Sequence, residues 1–234
     1  MSPYTAIELF SVVILVFILI GIGTKREKSM SSKALAWACW ANLLCSAANG
    51  LIYLQYGPGW PTVFLFVMTF ITYVAGNLAM LLFTYYDYCY IREYTPISRW
   101  LYGIPMAICV LNFFLSLYSG LNGDIFSTDD GVYIETEGLP IVIFMLYFAC
   151  IIYLPVAAFT KRKEIGMSQV FMLALFSTFP LIALIAYVLE VMDYTYSSGA
   201  VSLLAMYIFL DNELVRQKDQ RMREQLEKHH VELE

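Results

Sequence analysis

The sequence predicts an all-α polytopic membrane protein: a seven-transmembrane helix bundle with a C-terminal cytoplasmic helix. Three observations carry that prediction. Of the 234 residues 60% are hydrophobic and only 14% charged, with a mean hydropathy of +0.66, which is not the surface of a soluble globule of this length. Seven apolar stretches lie along the chain, and segments of about 20 apolar residues suffice to span a hydrocarbon core. All 14 Lys and Arg residues fall in four intervals: Lys25 to Lys33, Arg92 and Arg99, Lys161 to Lys163, and Arg216 to Lys228.

The spans expected, in order, are Tyr4–Gly23, Ala34–Tyr56, Thr62–Tyr86, Leu101–Leu121, Leu139–Thr160, Val170–Val191 and Ser198–Leu210, the last ended by Asp211 and Glu213. Cytoplasmic loops retain Lys and Arg, so the basic intervals put the first, third and fifth connections and the tail inside. Met1–Pro3, Gly57–Pro61, Asn122–Gly138 and Met192–Ser197 carry no Lys or Arg and are expected outside. An outer N-terminus and an inner tail need an odd number of spans, and seven satisfies every loop where five or six does not. The localisation implied is a multi-pass protein of the cell membrane. The first span lacks a basic region before its apolar run, which favours a retained anchor over a cleaved signal peptide. Two units follow: a membrane domain over residues 1–212 and a cytoplasmic helix over 213–234.

The net charge of −5 is no nucleic-acid signal, because the basic residues sit where orientation requires them. Cys39, Cys45, Cys109 and Cys150 lie within spans and Cys89 at the inner end of the third, so no outer disulfide framework is expected, nor a zinc site.

Within the spans, Ser46-Ala47-Ala48-Asn49-Gly50 and Ala75-Gly76-Asn77 are runs of small residues that let helices approach closely. The amides Asn42, Asn49, Asn77 and Asn112 are expected to face the bundle and one another, since an unpaired polar group in lipid is costly. Asn49, Tyr53, Gln55, Tyr73, Asn77, Asn112, Tyr187 and Glu190, with Glu8 of the first span, are candidates to line a ligand-binding cavity open to the outside. The alternative is interhelical glue with an aromatic interface belt. Pro105, Pro155 and Pro180 each remove a backbone hydrogen bond and favour a kink.

The outer segment 122–138 combines turn formers (Asn122-Gly123-Asp124, Asp129-Asp130-Gly131) with a strand-like Val132-Tyr133-Ile134, a pattern that suggests a small hairpin over the outer face. Its five carboxylates do not follow an EF-hand spacing and read as a solvated acidic loop. The tail has no Pro or Gly and pairs Asp219 with Arg223 and Glu224 with Lys228 at i,i+4, so a helix should continue out of the last span. Val215, Met222, Leu226 and Leu233 form a short coiled-coil seam interrupted by Asp219 and His229, suited to a homodimer of parallel tails.

Several chemistries have no residues to support them. Ser198–Leu210 has no Lys for a retinal Schiff base, and Tyr85-Tyr86-Asp87-Tyr88-Cys89 lacks the Arg of the animal seven-helix receptor motif. No metal cluster, phosphate loop or catalytic triad pattern is visible, so no cofactor, no catalytic residue and no enzyme activity within these residues is expected. His229 and His230 read as solvated positions on a helix, without the context of a phosphoacceptor.

The outer segment DIFSTDDGVYIETEGLP and the exit YIFLDNELVRQKDQRMREQLEKHHVELE give the chain an overall arrangement that resembles the N-terminal seven-helix sensor regions of bacterial membrane histidine kinases and of related diguanylate cyclases with GGDEF output domains. That resemblance implies a receptor module, dimeric through its C-terminal helix. It would detect an unknown small-molecule, peptide or lipid ligand and pass the signal through the last helix to a kinase or cyclase domain outside these residues. A small seven-helix transporter is the alternative, but it should show an internal repeat between the first and last three spans, and no convincing match between them is found.

The orientation is open to cysteine labelling in intact cells, on a background with the native cysteines replaced. A reporter at Ser127 should react with an impermeant reagent and one at Ser168 should not; the opposite pattern inverts the topology.

Overall fold

In the computed structural model, residues 3–25, 29–54, 61–129, 132–135, 139–188 and 197–210 are described, with positions 212, 222 and 223. Helix α1 covers Pro3–Thr24, α2 Met30–Leu54, α3 Thr62–Tyr94 and α4 Arg99–Asn122. Strands β1 (Phe126–Asp129) and β2 (Val132–Glu135) precede α5 (Leu139–Thr160), the one-turn α6 (Arg162–Ile165) and α7 (Met167–Val188). Helix α8 runs over Ser197–Leu210. Helices α1, α2, α3, α4 and α7 each contain a stretch long and apolar enough to cross a membrane, while α8 and Met145–Thr160 of α5 form shorter apolar helices. The outward faces are those of a lipid-facing bundle: Phe17 is 69% exposed, Val63 74% and Trp100 80%, a surface that water would penalise heavily.

Successive long helices from α1 to α5 run antiparallel. Thr5 Oγ1 donates to the Tyr53 carbonyl at 2.7 Å, joining the start of α1 to the end of α2. Asn77 Nδ2 reaches Ser116 Oγ at 2.8 Å, and Tyr102 donates to Asp87 Oδ2 at 3.2 Å, tying α3 to α4. Helix α5 packs on α4 and α7. The first and last helices run parallel and touch at both ends. Ser197 meets Glu8 at one end; at the other, the ring of Tyr207 lies 5.0 Å from Lys25 Nζ and closes on Gly21, where a Cβ would collide with the Tyr207 hydroxyl.

Helix ends show where sequence expectation and structure part. Helix α2 begins four residues before the expected Ala34 because Ser29 caps it, its Oγ accepting from the Ser32 N–H at 3.1 Å. Helix α3 runs to Tyr94 rather than Tyr86, for 33 residues, or about 50 Å. This overrun carries Glu93 to the N-terminus of α2, where its carboxylate accepts from the Ser31 N–H and Oγ, both at 3.0 Å; a carboxylate there satisfies orphan donors and complements the helix dipole. The helix stops at Thr95, extended at φ −151° and ψ 145°, because Pro96 disfavours the helical region for the residue before it. Helix α4 closes on Gly123 at φ 79°, a left-handed conformation natural to glycine.

The expected hairpin is present. β1 pairs antiparallel with β2 in the register Phe126↔Glu135 to Asp129↔Val132, and Asp130 and Gly131 between them lie outside the described residues. Ile125 and Phe126 are fully buried beneath it, against Phe66, Phe70, Tyr73 and Ile143. At the other end, Thr95 Oγ1 donates to Glu164 Oε2 and Lys161 Nζ lies 3.0 Å from Glu164 Oε1, joining the α3–α4 connection to α6. The Thr95 hydroxyl first, and then Lys161, hold the Glu164 carboxyl below its ordinary pKa.

Pro105 lies inside α4 and cannot supply the N–H that would bond the Leu101 carbonyl. Tyr153 of α5 replaces it, its hydroxyl donating to Leu101 O at 2.8 Å. Tyr153→Phe should therefore cost about 0.6–1.7 kcal/mol, the span measured for interhelical hydrogen bonds in membranes. Pro105→Ala should remove most of that cost by restoring the helix's own donor. Reversible unfolding of both single variants and the double variant measures this; an equal cost of Tyr153→Phe in either background contradicts it.

Candidate functional site

The best-defined polar cluster joins three helices at the end where α1 and α8 begin. Glu8 of α1 is 3% exposed, and its Oε1 accepts from Asn49 Nδ2 of α2 at 3.0 Å and from Ser197 Oγ of α8 at 3.0 Å. The sequence builds this locally. Thr5, Glu8 and Ser11 are all buried, and their spacing of three puts them on one face of α1. Gly50 of α2 lets the backbones close in, since a Cβ there would stand 3.2 Å from Glu8 Cβ. The small run of α2 is thus used for close packing, as its composition implies. Tyr53, one turn further along α2, stacks on Tyr4 with ring centroids 5.2 Å apart.

A second group runs through α3, α4 and α5. Asn77 donates to the Tyr73 carbonyl of its own helix at 3.0 Å as well as to Ser116. Asn112 donates to the Ile143 carbonyl of α5 at 3.1 Å. The ring of Tyr73 stacks on Phe126 under the hairpin, centroids 5.7 Å apart.

Of the nine candidate residues, then, Glu8, Asn49 and Tyr53 are gathered along α1 and α2, and Tyr73, Asn77 and Asn112 along α3 and α4. Gln55 and Glu190 lie outside the described residues, as does the side chain of Tyr187 on α7. Within the seam of the tail, Met222 is helical and 60% exposed, while Val215, Leu226 and Leu233 lie outside the described residues. All five cysteines are buried and outside any disulfide, and no cluster of three or more metal-ligating side chains occurs among the described residues.

Three contributors were not singled out from sequence. Ser197 was assigned to an outer loop; its signal is the run Ser197-Ser198-Gly199, small residues of the type that admit a neighbouring helix. Ser116 lies four residues after Asn112 and so on the same face of α4. Phe126 precedes the hairpin turn and had no signal beyond its hydrophobicity.

What the first cluster can do is bind and couple. It has an acceptor-rich carboxyl shared between two helices, with no group of three or more metal-ligating side chains among the described residues. No protein-family model matches the chain, and no curated protein matches it.

Asn49→Leu should destabilise the protein by about 1–2 kcal/mol by removing a donor from a buried carboxyl oxygen. Pairing it with Glu8→Leu should recover part of that loss, because both polar partners are then gone. Thermal unfolding in detergent reads both, and additive losses would contradict the pairing.

Proposed function

We propose that the chain is the membrane-embedded sensor module of a signalling protein, with seven spans, an outer N-terminus and a tail that carries the signal inside. The single observation that carries this reading is the Glu8 carboxyl shared by Asn49 and Ser197. Ser197 opens α8, the helix that leads to the charged tail, so a ligand that perturbs the outer ends of α1 and α2 acts on the output helix through one hydrogen bond. Such coupling requires only that the ligand prefer one of two packings.

The count of seven is supported by the parallel, touching pair α1 and α8, which needs an odd number of crossings between them. With the five membrane-length helices, the shorter apolar α5 and α8 bring the number to seven. The parallel homodimer of tails is supported by the exposure of Met222, an apolar side chain on a charged helix. The output domain would be of the histidine kinase or diguanylate cyclase kind, following the resemblance carried by the outer segment and the exit helix.

The full chain in membranes, with native cysteines replaced and one cysteine at position 222 or 223, tests the reading. Crosslinking between two chains should be efficient from Met222 and poor from Arg223. Adding Glu8→Ala should change the Met222 yield by at least about twofold, the mark of a shift between two packings. Equal yields at 222 and 223 remove the seam. A Met222 yield indifferent to Glu8 removes the coupling and leaves the transporter alternative in the stronger position.

A further inference from the structure

A cavity of about 20 Å³ lies where α2, α3, α5, α7 and α8 meet, its wall including Asn42, Gly76, Ser177, Pro180 and Gly199. We infer that this cavity is the seat of one ordered water molecule that hydrogen-bonds Asn42 to Ser177. The volume exceeds the 10–15 Å³ or so that one water needs and is far below the hundreds of cubic ångströms of a small-molecule site.

The polar demand comes from Asn42. It is 4% exposed, and its Nδ2 has no hydrogen-bond partner among the described residues. A buried amide donor left in that state is costly anywhere and more so in a bundle surrounded by lipid. The acceptor comes from Ser177, whose hydroxyl donates to the Leu173 carbonyl at 3.5 Å and so keeps its oxygen lone pairs for another donor. A water accepting from Asn42 Nδ2 and donating to Ser177 Oγ meets both. Its second proton is available to a further acceptor, and Pro180 leaves the carbonyl of residue 176, in the turn that carries Ser177, without its i→i−4 donor.

Glycine makes the room. A Cβ on Gly199 would stand 2.8 Å from Asn42 Nδ2, so any larger residue there would drive the amide across the cavity. The water joins α2 to α7 and gives α7 an exchangeable partner at the turn that Pro180 leaves without its backbone donor. A helix can bend there without stranding a polar group. This does not depend on the sensor reading, since it concerns a bond between two helices and not what they transmit.

The test uses the full chain in detergent, comparing Asn42→Leu, Ser177→Ala and the double variant by thermal unfolding, with a high-resolution density map of the wild type. Each single variant should lower the midpoint by about 2–4 °C, and the double should fall no further than the worse single, because both remove the same water. The map should show a peak within hydrogen-bonding distance of Asn42 Nδ2 and Ser177 Oγ. A higher midpoint for Asn42→Leu, an unchanged one for Ser177→Ala, additive losses, or no such peak would each overturn the inference. Should Asn42→Leu fail to fold, Ser177→Ala and the map decide it alone.

Discussion

A carboxyl carried on a membrane helix has no solvent to receive it, and Glu8 answers that constraint by drawing three helices together. The effect is large because α1 is the least buried of the five membrane-length helices and packs mainly on α2. Apolar side chains gain little by exchanging lipid for protein, so helix association in a bilayer depends on close packing and on hydrogen bonds. Thr5, Glu8 and Gly50 supply both for α1. Removal of this face would leave α1 placed only by its apolar packing and by the contact of Gly21 and Lys25 with Tyr207 at its other end. The cluster therefore ties α1 to α2 and, through Ser197, to α8.

The same logic recurs down the bundle. At three places a polar group inside the bundle is met by another helix: Tyr153 serves the carbonyl that Pro105 orphans, Asn112 serves the Ile143 carbonyl, and Glu93 serves the N-terminus of α2. Each of these bonds joins two helices, so bends and ends are stabilised by neighbours and cannot shift independently. A protein built this way passes a local change to adjacent helices because bonds must be exchanged rather than dropped.

Much of the fold was legible in the sequence, for physical reasons. Length and apolar composition reveal membrane helices because the bilayer imposes both, and the expected spans match the described helices to within a few residues except at the start of α2 and the end of α3; the expected ends at Tyr56 and Val191 lie outside the described residues. The overrun of α3 was hidden because its final turns are rich in Tyr and contain Arg92 and Glu93, residues that read as an aqueous exit although the helix continues through them. The hairpin was legible from its turn formers, yet its anchoring through Phe126 was not. The amides were rightly expected to face other helices, but their partners were not readable: Glu8 and Ser197 are 189 residues apart, and no local pattern pairs them. Nor does sequence distinguish Asn49, which finds a carboxyl, from Asn42, whose donor finds no partner among the described residues.

The central claim is that Glu8 and Ser197 form one energetic unit joining the first helix to the last. A double-mutant cycle with Glu8→Leu and Ser197→Ala, read by reversible unfolding of the full chain in bicelles, measures that coupling most directly. The account predicts a coupling of about 1–1.7 kcal/mol, above the mean of about 0.6 kcal/mol for interhelical hydrogen bonds in membranes. A coupling indistinguishable from zero would contradict it.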